Sequence, residues 1–246
     1  MKKASFGVPF FVRSHHPILK EVLLVKVNID PSRLPVDAIA GEAAIDPDLL
    51  SPARLRTRFA ESRPAWEPEA AELPFVQGSP KLRRAAVLVP LVERPDGVTV
   101  LLTLRTDHLS SHAGQISFPG GRTEELDSSP IETALRESEE EIGLHRRHVS
   151  ILGVLPDYVT GSAYRVAPVV ALVRPPFELM ADPNEVAEIF EVPLAFLMNG
   201  MHHQRLSFDL PEGAGRRSFY AMPYERFFIW GATAGMLRNL FHFLRA

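Results

Sequence analysis

Continuous apolar positions along the chain predict a set of β-strands. Residues 85–91 and 98–104 are short apolar runs of the kind that forms buried strands, and a Pro-Asp-Gly segment between them favours a tight turn. We therefore expect these two runs to pair as a hairpin. Further apolar runs at 149–155 and 164–173 predict two more strands later in the chain.

One helix is predicted around a glutamate-rich segment. Ser129 is a good N-cap, Pro130 suits the first helical position, and Glu132 completes a capping box with Ser129. Gly143 is a favourable residue for the end of this helix. The residues expected to pack on a sheet, leaving the acidic side open, are Ile131, Leu135, Ser138 and Ile142.

A second helix is predicted near the end of the chain. Residues 231–244 carry apolar side chains at helical spacing, which favours a helix with one apolar face. Strands with a few interspersed helices are typical of an α/β fold in which helices cover both faces of a sheet.

The first 80 residues are expected to form an N-terminal extension and linker, partly helical and packed on a catalytic domain at 81–246. Proline-containing loops alternate there with one predicted helix at 52–61, and residues 64–80 have the composition of a linker that runs over the surface. Residues 18–29 fit either a strand or a docked helix. An apolar stretch at 6–12 is a poor secretion signal because glycine and proline interrupt it.

Composition excludes several classes of function. The chain has 246 residues, 46% of them hydrophobic and 23% charged, as expected of a soluble protein with one substantial core. It contains no cysteine, which excludes disulfides, thiolate catalysis and cysteine-ligated zinc, and fits a cytoplasmic protein. A net charge of −3 argues against binding to long nucleic acid, and we expect no membrane association. The oligomeric state, including a homodimer, stays open.

Clustered glutamates are the strongest chemical feature of the predicted helix. Glu137, Glu140 and Glu141 stand at positions i, i+3 and i+4, so their carboxylates gather on one face. Each like-charge pair at this spacing costs about 0.2 to 0.5 kcal/mol. A hard divalent cation bound by these oxygens would reverse that sign. The alternative is a solvated surface helix that is merely rich in glutamate.

Residues 136–144 read Arg-Glu-Ser-Glu-Glu-Glu-Ile-Gly-Leu and resemble the second half of the Nudix box, whose pattern is Arg-Glu-apolar-any-Glu-Glu-any-Gly-apolar. Only Ser138 departs from it, being small rather than apolar. In the first half of the box, a one-residue insertion restores Gly121 at the glycine position and places Asp127 at the acidic position. This insertion is similar to that of the coenzyme A branch of the Nudix hydrolase family.

A second signature precedes the helix. Residues 101–121 read Leu-Leu-Thr-Leu-Arg-Thr-Asp-His-Leu-Ser-Ser-His-Ala-Gly-Gln-Ile-Ser-Phe-Pro-Gly-Gly and resemble the branch pattern Leu-Leu-Thr-x-Arg-Ser-x-x-Leu-Arg-x-His-x-Gly-x-Val-x-Phe-Pro-Gly-Gly. Thr106 and Ile116 are mild replacements, whereas Ser110 stands where the branch has a cation. The resemblance covers residues 82–240 and implies a Nudix-type α/β/α sandwich with a mixed sheet.

The resemblance implies hydrolysis of a pyrophosphate bond with the help of a divalent cation. Such a reaction requires that the charge developing on the phosphoryl oxygens be neutralised and that a water molecule be oriented and deprotonated. Mg²⁺ or Mn²⁺ is expected as cofactor, with Glu137, Glu140 and Glu141 as its ligands.

The proton of the attacking water has several candidate acceptors. Glu140 or Glu137 would accept it as a ligand of the metal, and Glu185 or Glu188 would accept it from a later loop. Arg136 is grouped with these residues because an arginine beside several carboxylates can hold them through bidentate hydrogen bonds.

Coenzyme A or an acyl-CoA is the substrate that the resemblance implies, with adenosine 3′,5′-bisphosphate and (acyl-)4′-phosphopantetheine as products. Arg105, His112 and Gly114 belong to the branch signature and are expected to contact the diphosphate or the nucleotide. Gly120 and Gly121 would let the backbone approach the metal or a phosphate closely.

The remaining part of the substrate has weaker candidates. Those for the additional phosphate on the ribose are Arg83, Arg84 and Arg122. Those for stacking on adenine are Tyr164, Phe118 and Trp230, although aromatic residues in strands and helices are mostly core. Two alternative functions stay open, namely hydrolysis of another nucleoside diphosphate derivative, such as ADP-ribose or a dinucleotide, and a nucleotide sensor that does not cleave its ligand.

Overall fold

A computed structural model of the chain describes residues 7–13, 22–61, 66–69, 82–107, 114–210 and 215–246. The strands of this part are β1 (Gly7–Arg13), β2 (Val22–Asn28), β3 (Val36–Ile39), β4 (Arg83–Arg94), β5 (Gly97–Arg105), β6 (Ile116–Ser117), β7 (Gly120–Arg122), β8 (Val149–Val154), β9 (Tyr158–Val159), β10 (Tyr164–Val173), β11 (Val186–Pro193), β12 (Gln204–Asp209), β13 (Arg216–Tyr224) and β14 (Phe227–Trp230). The helices are α1 (Pro52–Ala60), α2 (Pro130–Ile142), α3 (Leu194–Leu197) and α4 (Gly231–Arg245).

A mixed sheet forms the centre of the molecule. Its strand order is β11-β5-β4-β10-β8, in which β4 and β10 run parallel and the other neighbours run antiparallel. The short strands β6, β7 and β9 pair with β5, β4 and β10. The predicted hairpin of β4 and β5 is confirmed, and it closes at the pair formed by Arg94 and Gly97.

Alternate residues of β4 face opposite sides of the sheet, as the pleat of a strand requires. Ala86 and Leu88 belong to an apolar cluster that includes residues of α2. Val89 and Leu91 belong to a larger cluster that includes residues of α1, α3 and α4. Helices therefore cover both faces of the sheet, and the predicted α/β/α sandwich with a mixed sheet is confirmed.

The local signals around α2 act as predicted at both ends of the helix. The side chain of Ser129 accepts a hydrogen bond from the backbone N–H of Glu132 at 3.3 Å, and Gly143 ends the helix with a φ of 67°. The reciprocal half of the capping box is not formed. The side chain of Glu132 instead makes an ion pair of 2.9 Å with Arg146.

Part of the N-terminal region packs into the main core. The predicted helix at 52–61 is confirmed by α1, and its Leu55 is fully buried together with Ile45 and Leu50. Phe59 lies with its ring centroid 4.5 Å from that of Phe243 in α4. Between the two structures open for residues 18–29, a strand is the correct one for 22–28, which form β2.

The described piece of the predicted linker is held against α4. The backbone N–H of Glu69 donates to the side-chain oxygen of Asn239 at 2.7 Å, and the amide of Asn239 donates to the carbonyl of Glu69 at 3.2 Å. Trp66 stacks on His242 with the ring centroids 6.5 Å apart. These contacts dock residues 66–69 on a helix.

A second, smaller sheet was not predicted. Its order is β14-β13-β12-β3, so a strand of the N-terminal region pairs with strands near the end of the chain. Met222 and Ile229 pack into the main core from one face of this sheet, whereas Leu206 and Phe219 form a separate apolar cluster. No helix in the described ranges is both long and apolar enough to cross a membrane.

Candidate active site

A cavity of about 390 Å³ opens where β7 pairs with β4. One end of it is charged, and the lining residues there are Arg105, Glu137, Glu141 and Glu185. The backbones of Gly120 and Gly121 form the floor beside these side chains. Its other end is lined mainly by aromatic and apolar side chains from β10, the small sheet and the start of α4. The volume suits a small organic ligand.

Glu141 is the most buried acid of the cavity. Its side chain is 3% exposed, and it accepts a hydrogen bond of 3.0 Å from the backbone N–H of Gly120. Arg105 Nη1 lies 3.2 Å from its other oxygen. Burial raises the pKa of Glu141 well above its usual value. The prediction that the acidic side of the helix is open is therefore wrong at this position, because β7 covers Glu141.

Glu137 lies one helical turn before Glu141 and reaches the same cavity. Its side chain is 16% exposed and forms an ion pair of 3.0 Å with Arg136, and burial raises its pKa. A Cβ atom on Gly121 would lie 2.5 Å from the carboxyl carbon of Glu137. The glycine therefore provides the space that this carboxylate occupies.

Arg136 acts through other residues and does not line the cavity. Its Nε and Nη2 atoms bind the two oxygens of Asp127 at 3.1 and 3.0 Å, and its Nη2 also donates to the carbonyl of Arg122 at 3.1 Å. The guanidinium holds the pKa of Asp127 well below its usual range. Arg136 thus joins the loop after β7 to α2. Its ion pair with Glu137 holds that carboxylate from outside the cavity, which makes Arg136 a positioning residue.

The other predicted acids lie in different environments. Glu140 is 61% exposed, pairs with Arg136 at 2.9 Å and does not line the cavity. Glu185 lines the cavity, is 44% exposed and lies 3.5 Å from Arg105. Glu188 is paired with Arg226 and does not line the cavity. The structure therefore brings Glu185, but not Glu188, to the two buried acids of α2.

Of the predicted substrate-binding residues, Arg105, Gly120 and Gly121 line the cavity. Gly114 does not line it, and its φ of 64° places it in a turn. His112 lies outside the described residues.

The three candidate arginines for an additional phosphate are separated by the register of the strands. Arg84 precedes Ala85, which lines the cavity, and therefore lies on the opposite face of β4. Arg83 lies on the cavity face, with its guanidinium 4.1 Å from the ring centroid of Tyr164. Arg122 lines the cavity directly.

The sequence reasoning missed several lining residues because no motif marks them. Among these are Phe208, Arg217 and Phe219 of the small sheet. The continuous apolar run at 219–222 was the available signal for a strand. The three aromatic candidates Tyr164, Phe118 and Trp230 do line the cavity.

The donor set fits a hard divalent cation. Within the described residues, no group of three or more acidic or histidine side chains is already gathered at metal-binding distance. Two carboxylates with raised pKa values nevertheless share one cavity, and a cation bound there would offset both their burial and their mutual repulsion. Glu137 and Glu141 are the residues that would hold it.

Comparisons with known proteins agree with this architecture. The NUDIX domain family model matches residues 82–208, just over half of the chain. The chain is similar to the uncharacterized Nudix hydrolase NudL of Escherichia coli (strain K12), with 41% identity over 159 residues that cover 64% of this chain and 81% of the relative.

Solved structures of low identity were also matched. A Caenorhabditis elegans Ap4A hydrolase in a binary complex is 18% identical, with a TM-score of 0.40 over 45% of this chain and 80% of that one. A MutT/nudix family protein from Enterococcus faecalis is 18% identical, with a TM-score of 0.42 over 77% of this chain and 67% of that one. The family match and the relative together show that the chain belongs to the Nudix hydrolases, pyrophosphohydrolases that act on acid anhydrides and generally use divalent metal ions.

Proposed function

We propose that this Nudix hydrolase cleaves the pyrophosphate bond of coenzyme A or an acyl-CoA. The products would be adenosine 3′,5′-bisphosphate and 4′-phosphopantetheine or its acylated form. The observation that carries the proposal is the meeting of Glu137 and Glu141 with Arg105 at one end of a single cavity. The resemblance of residues 101–121 to the coenzyme A signature supports the choice of substrate, and Arg105, Gly120 and Gly121 are the signature residues that line the cavity.

The proposed cofactor is Mg²⁺ or Mn²⁺. Glu137 and Glu141 would hold the ion inside the cavity, and Glu140 would join from the exposed side of α2 after release from Arg136. When bound, the ion would neutralise charge on the phosphoryl oxygens. Oxygen donors of this kind suit either ion.

Glu185 is the proposed proton acceptor. A water molecule attacks one phosphorus of the diphosphate, the bond from that phosphorus to the bridging oxygen breaks, and the water proton passes to the Glu185 carboxylate. Glu185 suits this role because it lines the cavity, remains 44% exposed to water, and lies 3.5 Å from Arg105. Glu140 and Glu137 are the alternatives, and comparing the E185Q, E140Q and E137Q variants separates the three.

Arg105 has a second proposed role. Its guanidinium lies between Glu141 and Glu185, at 3.2 and 3.5 Å, and is 19% exposed. A planar cation in this place can bind a diphosphate oxygen while it reduces the repulsion between the two carboxylates. Arg122 also lines the cavity and is proposed to contact the same diphosphate.

A panel of substrates tests the choice of coenzyme A. Other nucleoside diphosphate derivatives, such as ADP-ribose and dinucleotides, share the bond that the charged end would address. Turnover of coenzyme A, an acyl-CoA, ADP-ribose and a dinucleotide should be compared under Mg²⁺ and under Mn²⁺. We expect the highest kcat/KM for the coenzyme A compounds, and a clear preference for ADP-ribose would reject the proposal.

A nucleotide sensor without catalysis is the other reading. The three helix acids Glu137, Glu140 and Glu141 are all retained, two of them in the cavity at an electrostatic cost without a bound cation. Retention of these carboxylates favours an enzyme. Binding of the substrates in the panel without turnover under either ion would support the sensor.

The domain division is likewise proposed. We place the catalytic domain at 81–246 and treat 1–80 as an extension, part of which contributes Leu50 and Leu55 to the core of that domain. A cytoplasmic location and a small-molecule partner, with no long nucleic acid, complete the proposal.

A further inference from the structure

The end of the cavity away from the acids is built by the small sheet. Phe208 of β12, Phe219 of β13 and Trp230 of β14 all line it, and so does Arg217 of β13. Phe219, Trp230 and Arg217 lie beyond residue 208, where the family match ends.

Strand register places these four side chains on one face of the sheet. Phe208 is directly opposite Arg217 across the β12–β13 pair, so the two side chains are neighbours. Phe219 follows Arg217 by two positions and shares its face, and Trp230 lies opposite Ala221 on that face. The row therefore runs from aromatic rings to a cation.

The aromatic rings leave one partly exposed surface. Phe219 and Trp230 have ring centroids 5.2 Å apart with an angle of 61° between the planes, and Phe208 and Phe219 are 6.2 Å apart at 57°. Phe208 and Phe219 are each only 7% exposed, whereas Trp230 is half-buried. Trp230 is thus the ring on which a flat heterocycle can stack from within the cavity.

Arg217 places a cation at this end. Arg105 belongs to the charged end, where it contacts Glu141. Arg217 instead lies beside the aromatic rings on a different element. A guanidinium in such a place matches a phosphate through paired hydrogen bonds.

We propose that the small sheet forms a subsite for a purine nucleoside that carries an extra phosphate on its ribose. The base stacks on Trp230, and Arg217 pairs with the ribose phosphate. This proposal rests on the proposed function, because it requires the diphosphate of the same substrate to lie at the charged end. It makes Arg217 the residue that distinguishes coenzyme A from its derivative without the 3′-phosphate.

Kinetics of two neighbouring variants test the role of Arg217. Arg217→Gln should lower kcat/KM for coenzyme A by about 10- to 100-fold, mainly through KM, and leave 3′-dephospho-coenzyme A unchanged. Arg216→Gln is the matched control, since Arg216 lies on the opposite face of β13 and contacts Ser207 and Asp37. An equal loss with both substrates in Arg217→Gln, or no loss with either, would overturn the proposal.

A binding experiment keeps the subsite testable without turnover. The chain has two tryptophans, so Trp66→Phe leaves Trp230 as the only fluorophore of that type. Adenosine 3′,5′-bisphosphate should quench this fluorescence at a concentration at least tenfold lower than AMP does, and Arg217→Gln should abolish the difference. Equal binding of the two nucleotides, or no quenching, would overturn the subsite. Absence of coenzyme A turnover combined with selective binding would instead refute the proposed function alone.

Discussion

The backbone N–H of Gly120 donates a hydrogen bond of 3.0 Å to Glu141, which ties the first residue of β7 to the last turn of α2. Gly120 has a φ of 152°, and a Cβ atom there would lie 2.4 Å from the carbonyl oxygen of Ala86. The two consecutive glycines of β7 thus serve the acids directly. Gly120 binds Glu141, and Gly121 makes room for Glu137.

Gly121→Ala should strongly lower activity while preserving the fold. The three atoms nearest to the added Cβ would all belong to the carboxyl group of Glu137, a flexible group that can swing away at little cost in stability. We expect kcat/KM to fall by about 100-fold, because displacing a functional group by about 1 Å has effects of this size. Gly120→Ala is the contrasting variant, since its Cβ would meet backbone atoms and should lower the melting temperature.

A double-mutant cycle checks the cause of that loss. If Gly121→Ala acts by displacing Glu137, then combining it with Glu137→Gln should be no worse than Glu137→Gln alone. Additive losses in the double variant would show that the glycine has a separate role.

Arg136→Gln should lower both stability and activity. Asp127, whose side chain is only 6% exposed, would lose two hydrogen bonds from the guanidinium, at a cost of about 1 to 3 kcal/mol in the free energy of unfolding. Arg146→Gln is the control, because Arg146 pairs with Glu132 and Glu139 at the surface and should contribute less than about 0.5 kcal/mol. Equal losses in the free energy of unfolding for Arg136→Gln and Arg146→Gln, measured by urea denaturation, would contradict the role assigned to Arg136.

Leu55→Ala tests whether the N-terminal region belongs to the core. Leu55 is fully buried in the main apolar cluster, so its truncation should lower the free energy of unfolding by about 2 to 5 kcal/mol. Leu49, which is 47% exposed, provides the control, and Leu49→Ala should change stability by less than about 0.5 kcal/mol. A wild-type melting temperature for Leu55→Ala would show that the region is dispensable.

Stability should fall on acidification through the cluster that Glu42 and His203 form with Arg238 of α4. Hydrogen bonding to Arg238 lowers the pKa of Glu42 to about 2, and burial lowers the pKa of His203 to about 4. Both groups bind fewer protons in the folded than in the unfolded protein, so stability is lost as pH falls from 6.5 to 4 for His203 and from 4.5 to 2 for Glu42.

Glu42→Gln isolates one part of this pH dependence. At pH 7, the urea concentration at its unfolding midpoint should be lower than that of the wild type. Its further loss of stability below pH 4.5 should be smaller than that of the wild type. Glu61→Gln, at an exposed residue of the same region, should follow the wild-type curve. Parallel curves of stability against pH for Glu42→Gln and the wild type would refute the stabilising role of the ion pair between Glu42 and Arg238.

Local signals were sufficient to predict β4, β5, β8 and β10 and the helices α1, α2 and α4, but β11 at the edge of the central sheet was not predicted. The cap at Ser129, the stop at Gly143 and the hairpin that closes at Gly97 depend on neighbours in sequence, and each is found in the structure. The small sheet was not predicted. Its β3 pairs with β12 across more than 160 residues, a contact that no local pattern encodes, whereas β12, β13 and β14 follow one another as local hairpins.

The candidate site was predictable where a motif carries it and not where packing decides. Glu137 and Glu141 were found from their spacing, but the burial of Glu141 depends on β7 lying over α2. Arg84 and its neighbour Arg83 look equivalent in sequence, and only the register of β4 separates them. Arg217 belongs to no motif and reaches the cavity through a sheet that was not predicted.

Hydrolysis of coenzyme A in oxygen-18 water, analysed by mass spectrometry, tests the central claim most directly. The wild-type protein with Mg²⁺ should yield adenosine 3′,5′-bisphosphate and 4′-phosphopantetheine, with one heavy oxygen in one product, which identifies the phosphorus attacked. Glu141→Gln should yield neither product at a measurable rate. Intact coenzyme A after incubation with the wild type, or undiminished turnover by Glu141→Gln, would contradict the account.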